Sequence, residues 1–376
     1  MAMAVTMVVV LTSMGASLLV RSFNEDLVEQ RSATLQQAFY MAEAGLDRAS
    51  LNLRTPTDPL DDLFTQTLST GQFQLDPAQS LGPLTWSVVS HGFSGAEERR
   101  VEVIYSLTPQ SVFQYAVFGG QALNVSGSAQ TDSYDSRLGP YNEDPANGPI
   151  NAAHAGDVGT NAVTTGAVTL GGSYFIDGQV VVGPNVSDPA AIVSGESSSF
   201  ITGDPMLASA PATFPMPPVS VPVGMSCPNL SLESHDVVTL NANGVYCYHN
   251  LTLKGGSLFT SDGPVTVYIT GVLNAKGNSA TAGSPSDPRN MLFLMSPASS
   301  AVVEDADLTG TTKFYGAIYG PNADITIHGN AEIFGAIIAN TVNVTGSAIV
   351  HYDEALTQLT TISNTYGRRV TSWREL

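Results

Sequence analysis

One short pattern constrains this chain more than any other feature: aliphatic, Asn or Thr, aliphatic, any residue, Gly, then small residues. It occurs six times between Phe113 and Leu356. The copies are Leu123-Asn124-Val125-Ser126-Gly127, Val168-Thr169-Leu170-Gly171-Gly172, Leu251-Thr252-Leu253-Lys254-Gly255, Leu273-Asn274-Ala275-Lys276-Gly277, Ile325-Thr326-Ile327-His328-Gly329 and Val342-Asn343-Val344-Thr345-Gly346. A second echo, Tyr315-Gly316-Ala317-Ile318 against Phe334-Gly335-Ala336-Ile337, puts Gly316 and Gly335 19 residues apart. Short strands with Gly and Asn corners at a period near 20 predict a right-handed parallel β-solenoid. Each turn buries its inward aliphatics only by stacking on a neighbour, and Gly and Asn accept left-handed backbone at the corners. A two-sheet sandwich would instead show alternation closed by hairpin dipeptides.

The repeat is interrupted. Pro205, Pro211, Pro215, Pro217, Pro218 and Pro222 crowd one segment, too densely for helix or central strand, which predicts an extended crossing. It divides the solenoid into two parts or runs along one face. The expected organisation is a helix over 1–54, a small β region over 55–112, solenoid over 113–204, a Pro-rich linker over 205–226, solenoid again over 227–360, and a tail or strand over 361–376. Cys227 and Cys247 flank the far side of the linker about one coil apart. In an oxidising compartment they would form a disulfide worth roughly 3 kcal/mol in the loop-entropy picture.

The amino-terminal region follows another rule. Met1 to Val20 carries no charge and is rich in Ala, Val, Met and Leu, and about 20 such residues cross a hydrocarbon core of roughly 30 Å. From Arg21 to Arg54 there is no proline, while Phe23, Leu27, Leu35, Ala38, Phe39, Ala42, Leu46, Ala49 and Leu53 recur at helical spacing. One helix of about 54 residues, roughly 80 Å long, is predicted to end at Thr55-Pro56-Thr57-Asp58-Pro59. Such a helix needs a partner along its length. The small side chains around Ala38, Ala42, Ala44 and Gly45, beside Phe39, are read as an assembly face that permits close helix approach, with Glu43 paired to a neighbour's basic group; the alternative is that they pack on the chain's own sheet. Beyond it, Trp86, Val88 and Val89, then Val101, Val103, Tyr105 and Leu107, alternate about a turn at His91–Gly95. This predicts an antiparallel pair packed on the helix.

The stretch Gln36-Gln37-Ala38-Phe39-Tyr40-Met41-Ala42-Glu43-Ala44-Gly45-Leu46, on an apolar helix, resembles the amino-terminal segment of PilX-type type IV minor pilins. The resemblance covers about the first 54 residues. It implies a short basic leader cut by a prepilin peptidase, a helix held in the inner membrane before assembly, and later packing against other pilins or pseudopilins in a filament. Position 5 is Val5, where major pilins carry a glutamate. The stretch from Phe314 to Leu356, with Val370–Leu376, also resembles the solenoid ends of large PilX-like surface proteins.

Composition narrows the function. Asp+Glu 33 against Lys+Arg 14 gives a net charge of -19, which argues against nucleic acid, whose affinity comes from neutralised phosphates. Low charge with 35 glycines suits an extracellular, mainly β protein. The scattered histidines form no HExxH, and neither a GxSxG elbow nor a phosphate-binding loop is present, so no catalysis and no cofactor are expected. Asp132 and Asp135 are the candidate calcium pair, and Glu304-Asp305-Ala306-Asp307 a second acidic corner; both are also read as solvated turns. The expected function is a non-catalytic pilin-like component displaying a solenoid for adhesion to a host surface or polysaccharide, its body periplasmic or extracellular. The alternatives are a membrane-tethered solenoid acting on or binding polysaccharide, and a bactofilin-like self-polymerising scaffold.

Overall fold

A computed structural model describes residues 2–52, 64–82, 84–144, 146, 150–195, 200–277, 281, 282, 284, 287–296, 305–360, 362 and 366–376. The chain divides into two units, Met1–Pro109 with Asn364–Leu376, and Gln110–Ser363.

In the first unit, proline-free sequence forms one helix, Ala2–Asn52, of 51 residues, about 77 Å long. Its predicted stop at Thr55–Pro59 lies outside the described residues. Its last turns bury Ala38, Met41, Ala42, Leu46 and Ala49 against Phe73, Leu75, Trp86, Val88, Val101, Val103, Tyr105 and Leu107. The sheet that supplies those residues is antiparallel, in the order Phe64–Leu68, Gly71–Leu75, Thr85–Ser94, Glu97–Pro109, Tyr366–Glu375, with Gln79–Gly82 paired to the start of Thr85–Ser94. Val101, Val103, Tyr105 and Leu107 share the buried face of their strand, as the alternation predicts. The residues after 365 therefore form an edge strand of this sheet, pairing Tyr366 with Pro109 and Glu375 with Val101.

Helix and sheet approach closely. A Cβ at Gly92 would strike the Ala38 carbonyl and the Ala42 amide, and one at Gly45 would strike Ser90 Oγ. The small residues predicted as an assembly face are thus consumed inside the unit. Ala38, Ala42 and Gly45 are buried, and Phe39, Glu43 and Ala44 are half-buried. For Ala38, Ala42 and Gly45 the alternative reading therefore describes the packing: a smooth helix surface suits a sheet as well as a second helix, and spacing cannot tell them apart.

In the second unit, strands stack in parallel along three ladders. On the first ladder every copy of the sequence pattern lands in register. Its order is Val193–Ser194, Val168–Gly172, Val117–Gly127, Glu332–Val344, Lys313–Ile327, Asp305–Leu308, Leu273–Lys276, Leu251–Lys254, Leu230–Leu232. Val168, Leu123, Val342, Ile325, Ala306, Leu273 and Leu251 form a buried column. Thr169, Asn124, Asn343, Thr326, Asp307, Asn274 and Thr252 form the outward column beside it.

The pattern's glycines stack too. Gly127, Gly172, Gly329 and Gly346 have φ of 78°, 78°, 75° and 72°, in the left-handed region that disfavours a Cβ. A Cβ at Gly127 would also lie 2.6 Å from the Gly346 carbonyl oxygen. That oxygen instead accepts from Ser128 N at 2.6 Å, as Gly127 O accepts from Ser173 N and Gly329 O from Ser347 N. The corner is therefore a hydrogen-bonded column of its own.

The spatial order differs from the chain order. Residues 117–209 build from the middle toward one end of the stack. The chain then crosses to Leu230–Leu232 at the other end and builds back until Glu332–Val344 pairs with Val117–Gly127. Ser111 Oγ donates to Leu356 O at 2.8 Å, so the unit starts and finishes at one place. The crossing runs along the third ladder, whose outward residues are apolar. Tyr319 Oη donates to Pro217 O at 2.6 Å, Ser296 Oγ donates to Val219 O at 3.1 Å, and the Phe214 ring lies 4.6 Å from that of Phe118. The Asn161 side chain pairs with both backbone groups of Phe214. Just beyond this strap, Cys227 and Cys247 form a disulfide.

Candidate functional site

The second ladder carries the chemistry. Its strands Lys313–Ile327, Glu332–Val344, Ile349–Asp353 and Gln130–Tyr134 stack in register, and alternation sends every second side chain outward. Two outward columns result. One is Tyr315, Phe334, His351, Asp132; the other is Lys313, Glu332, Ile349, Gln130.

In the first column Tyr315 lies 4.5 Å from Phe334 with planes 9° apart, and Phe334 lies 4.8 Å from His351. His351 Nδ1 meets Asp132 Oδ1 at 2.6 Å. The Asp132 carboxylate also accepts from Tyr141 Oη at 2.6 Å, and the Tyr141 ring covers His351 at 3.9 Å. In the second column Lys313 Nζ meets Glu332 at 2.8 Å, a bond that holds its ammonium above the usual lysine range.

Tyr141 belongs to a loop rooted at both ends. Asn142 N donates to Asn151 Oδ1 at 2.7 Å, and Asn151 Nδ2 donates to Gly139 O and Pro140 O. At the root, Asp353 Oδ1 accepts from Ser136 N and Ala355 N; burial pushes this carboxyl above the usual aspartate range. Burial, with the Asp132 bond second, likewise raises the Tyr141 hydroxyl, which therefore stays a donor at neutral pH. Loop and ladder enclose a groove of about 370 Å³.

Asp132 and Asp135 do not converge. Asp135 accepts from the backbone and guanidinium of Arg137, and that bond lowers its carboxyl below the usual range. The candidate calcium pair is thereby split: one carboxylate goes to a histidine and a tyrosine, the other to an arginine. Among the described residues no group of three His, Cys, Asp or Glu could hold a metal ion. In the second acidic corner Glu304 lies outside the described residues, while Asp307 bridges Lys276 and His328. The groove's aromatic residues were not singled out by motif reasoning. Their signal was the 19-residue echo itself, which sets Tyr315 and Phe334 on one column.

In the first unit the exposed part of the helix is the counterpart. Leu11, Leu18, Phe23 and Leu27 are 60%, 64%, 65% and 62% exposed. Among the described residues no helix is long and apolar enough to cross a membrane, and the predicted span at Met1–Val20 lies partly outside them.

Comparison with known proteins gives three findings. Residues 234–359 match a family described as a domain of unknown function, DUF7305. No curated protein matches the chain. Among solved structures, a DUF3494 ice-binding protein domain from Shewanella frigidimarina is similar at 15% identity and TM-score 0.40, over 66% of this chain and 98% of that one. The competence-associated pilin ComZ from Thermus thermophilus is similar at 13% identity and TM-score 0.28, over 91% and 97%.

Proposed function

We propose that this chain is a non-catalytic, pilin-like component of a type IV pilus or related secretion filament, of the PilX type. Its amino-terminal helix sits in the inner membrane before assembly and afterwards packs among other pilins or pseudopilins. Its body, a right-handed parallel β-solenoid, is displayed on the periplasmic or extracellular side for surface attachment.

The observation that carries this reading is the division of the helix. From Ala38 onward one face is covered by the chain's own sheet, whereas from Leu11 to Val28 large apolar side chains are exposed around the helix. Apolar surface of that extent is costly in water at about 25 cal/mol per Å², so a membrane or neighbouring helices must cover it. The charge-free run Met1–Val20 suits both environments in turn. The Cys227–Cys247 disulfide supports an oxidising compartment over the cytosol, against a bactofilin-like scaffold.

The test is mass spectrometry of the mature amino terminus in sheared surface filaments beside inner-membrane fractions. A leader-trimmed, N-methylated terminus in the sheared fraction is expected. An unprocessed terminus confined to the membrane would overturn the filament reading.

A further inference from the structure

We infer that the groove under Tyr141 binds a neutral, hydroxyl-rich ligand, a sugar unit of a polysaccharide, independently of how the helix is anchored. Three observations carry this. First, the volume of about 370 Å³ falls within the range of small-ligand sites, which begins near 300 Å³. Second, the lining mixes rings with hydrogen-bonding groups of both senses: Tyr141 and Tyr315 are half-buried and keep part of their surface open, while Gln130, Glu143, Glu332 and Lys313 line the same space. Sugar hydroxyls both donate and accept, and their C–H faces rest on aromatic surface, so this mixture matches a pyranose better than an apolar ligand. Third, the charged lining groups are Asp132, Glu143 and Glu332 against Lys313. Lys313 is already paired with Glu332, which leaves a net negative site that repels phosphates and uronates.

The loop makes the site preformed. Asn151 ties Asn142 to Gly139 and Pro140, so Tyr141 is held over His351 without a ligand. This lowers the ordering cost of binding. The first ladder's outward Asn and Thr column is a competing surface for the same ligand class, and variants on it separate the two.

The experiment uses the full chain in a detergent without a sugar headgroup. Titration calorimetry is run with cellotetraose, chitotetraose and, as the anionic control, tetragalacturonate. Binding of at least one neutral oligosaccharide is expected, with tetragalacturonate at least tenfold weaker. Tyr141→Ala and Glu143→Gln, both in the loop rather than the ladder, should each weaken binding at least tenfold, Glu143→Gln at unchanged thermal midpoint. Asn343→Ala and Thr326→Ala on the first ladder should leave it unchanged. Failure of both neutral probes to bind would overturn the inference, as would preference for tetragalacturonate. Binding that survives the loop variants and falls with the first-ladder variants would overturn it too. None of these outcomes bears on the amino-terminal processing that tests the filament reading.

Discussion

The first and third ladders of the body stack in the same parallel register, yet they meet opposite fates. On the first, the outward column is Thr169, Asn124, Asn343, Thr326, Asp307, Asn274 and Thr252, and it faces solvent. On the third, Phe118, Tyr319 and Leu294 point outward and are nonetheless buried, because the Pro-rich strap lies across them. Parallel stacking alone decides which residues share a column. Whether a face is covered depends on a separate stretch of chain, whose prolines cannot donate ladder bonds and so lie on the stack without joining it.

The comparison can be broken from the covered side first. Phe214→Ala should cost about 3–5 kcal/mol, since the strap's main ring leaves Phe118 and Tyr115, read from denaturant unfolding of the body. Gly346→Ala should cost about 3 kcal/mol, combining left-handed strain with collision at the glycine column, by the same measurement. Reducing the disulfide, or replacing Cys227 and Cys247 by Ser, should cost roughly 3 kcal/mol and free the far end of the strap. Limited proteolysis between Pro211 and Pro222 reads that out. On the open side, Asn343→Ala should fall within about 0.5 kcal/mol of wild type, and a larger loss would mean that the outward polar column carries structure.

Asp353 sharpens the contrast in another way. Its carboxyl is raised in the folded state, so the native protein binds a proton more tightly than the unfolded chain does. Stability contributed by that proton is present at low pH and declines as pH rises from the usual aspartate range through the raised value. Asp353→Asn keeps an acceptor for Ser136 N and Ala355 N. It should flatten that decline in thermal midpoint measured from pH 4 to 7, without lowering stability at pH 7.

How much was legible follows from range. The first ladder could be read directly, because an aliphatic alternation closed by a left-handed glycine is a local pattern and repeats. The antiparallel strands around Trp86 and Tyr105 were legible for the same reason. The meeting of Val117–Gly127 with Glu332–Val344 was not, because that seam is set by where the crossing deposits the chain. The groove needed the seam: Asp132 and His351 are 219 residues apart and neighbours only once the strands are stacked out of chain order. Ala38, Ala42 and Gly45 were found as a close-packing face, but their partner was the chain's own sheet.

The body leaves the antiparallel sheet after Pro109 and the chain returns at Tyr366, and those two residues are register partners. In polymer terms the body is the loop of a hairpin. Left unfolded, roughly 250 residues would oppose closure of that strand pair by on the order of 5 kcal/mol of chain entropy. A folded body whose ends already meet, with Ser111 bonded to Leu356, removes most of that opposition. Pairing of the last strand is therefore thermodynamically coupled to the folding of the body inserted between the two strands.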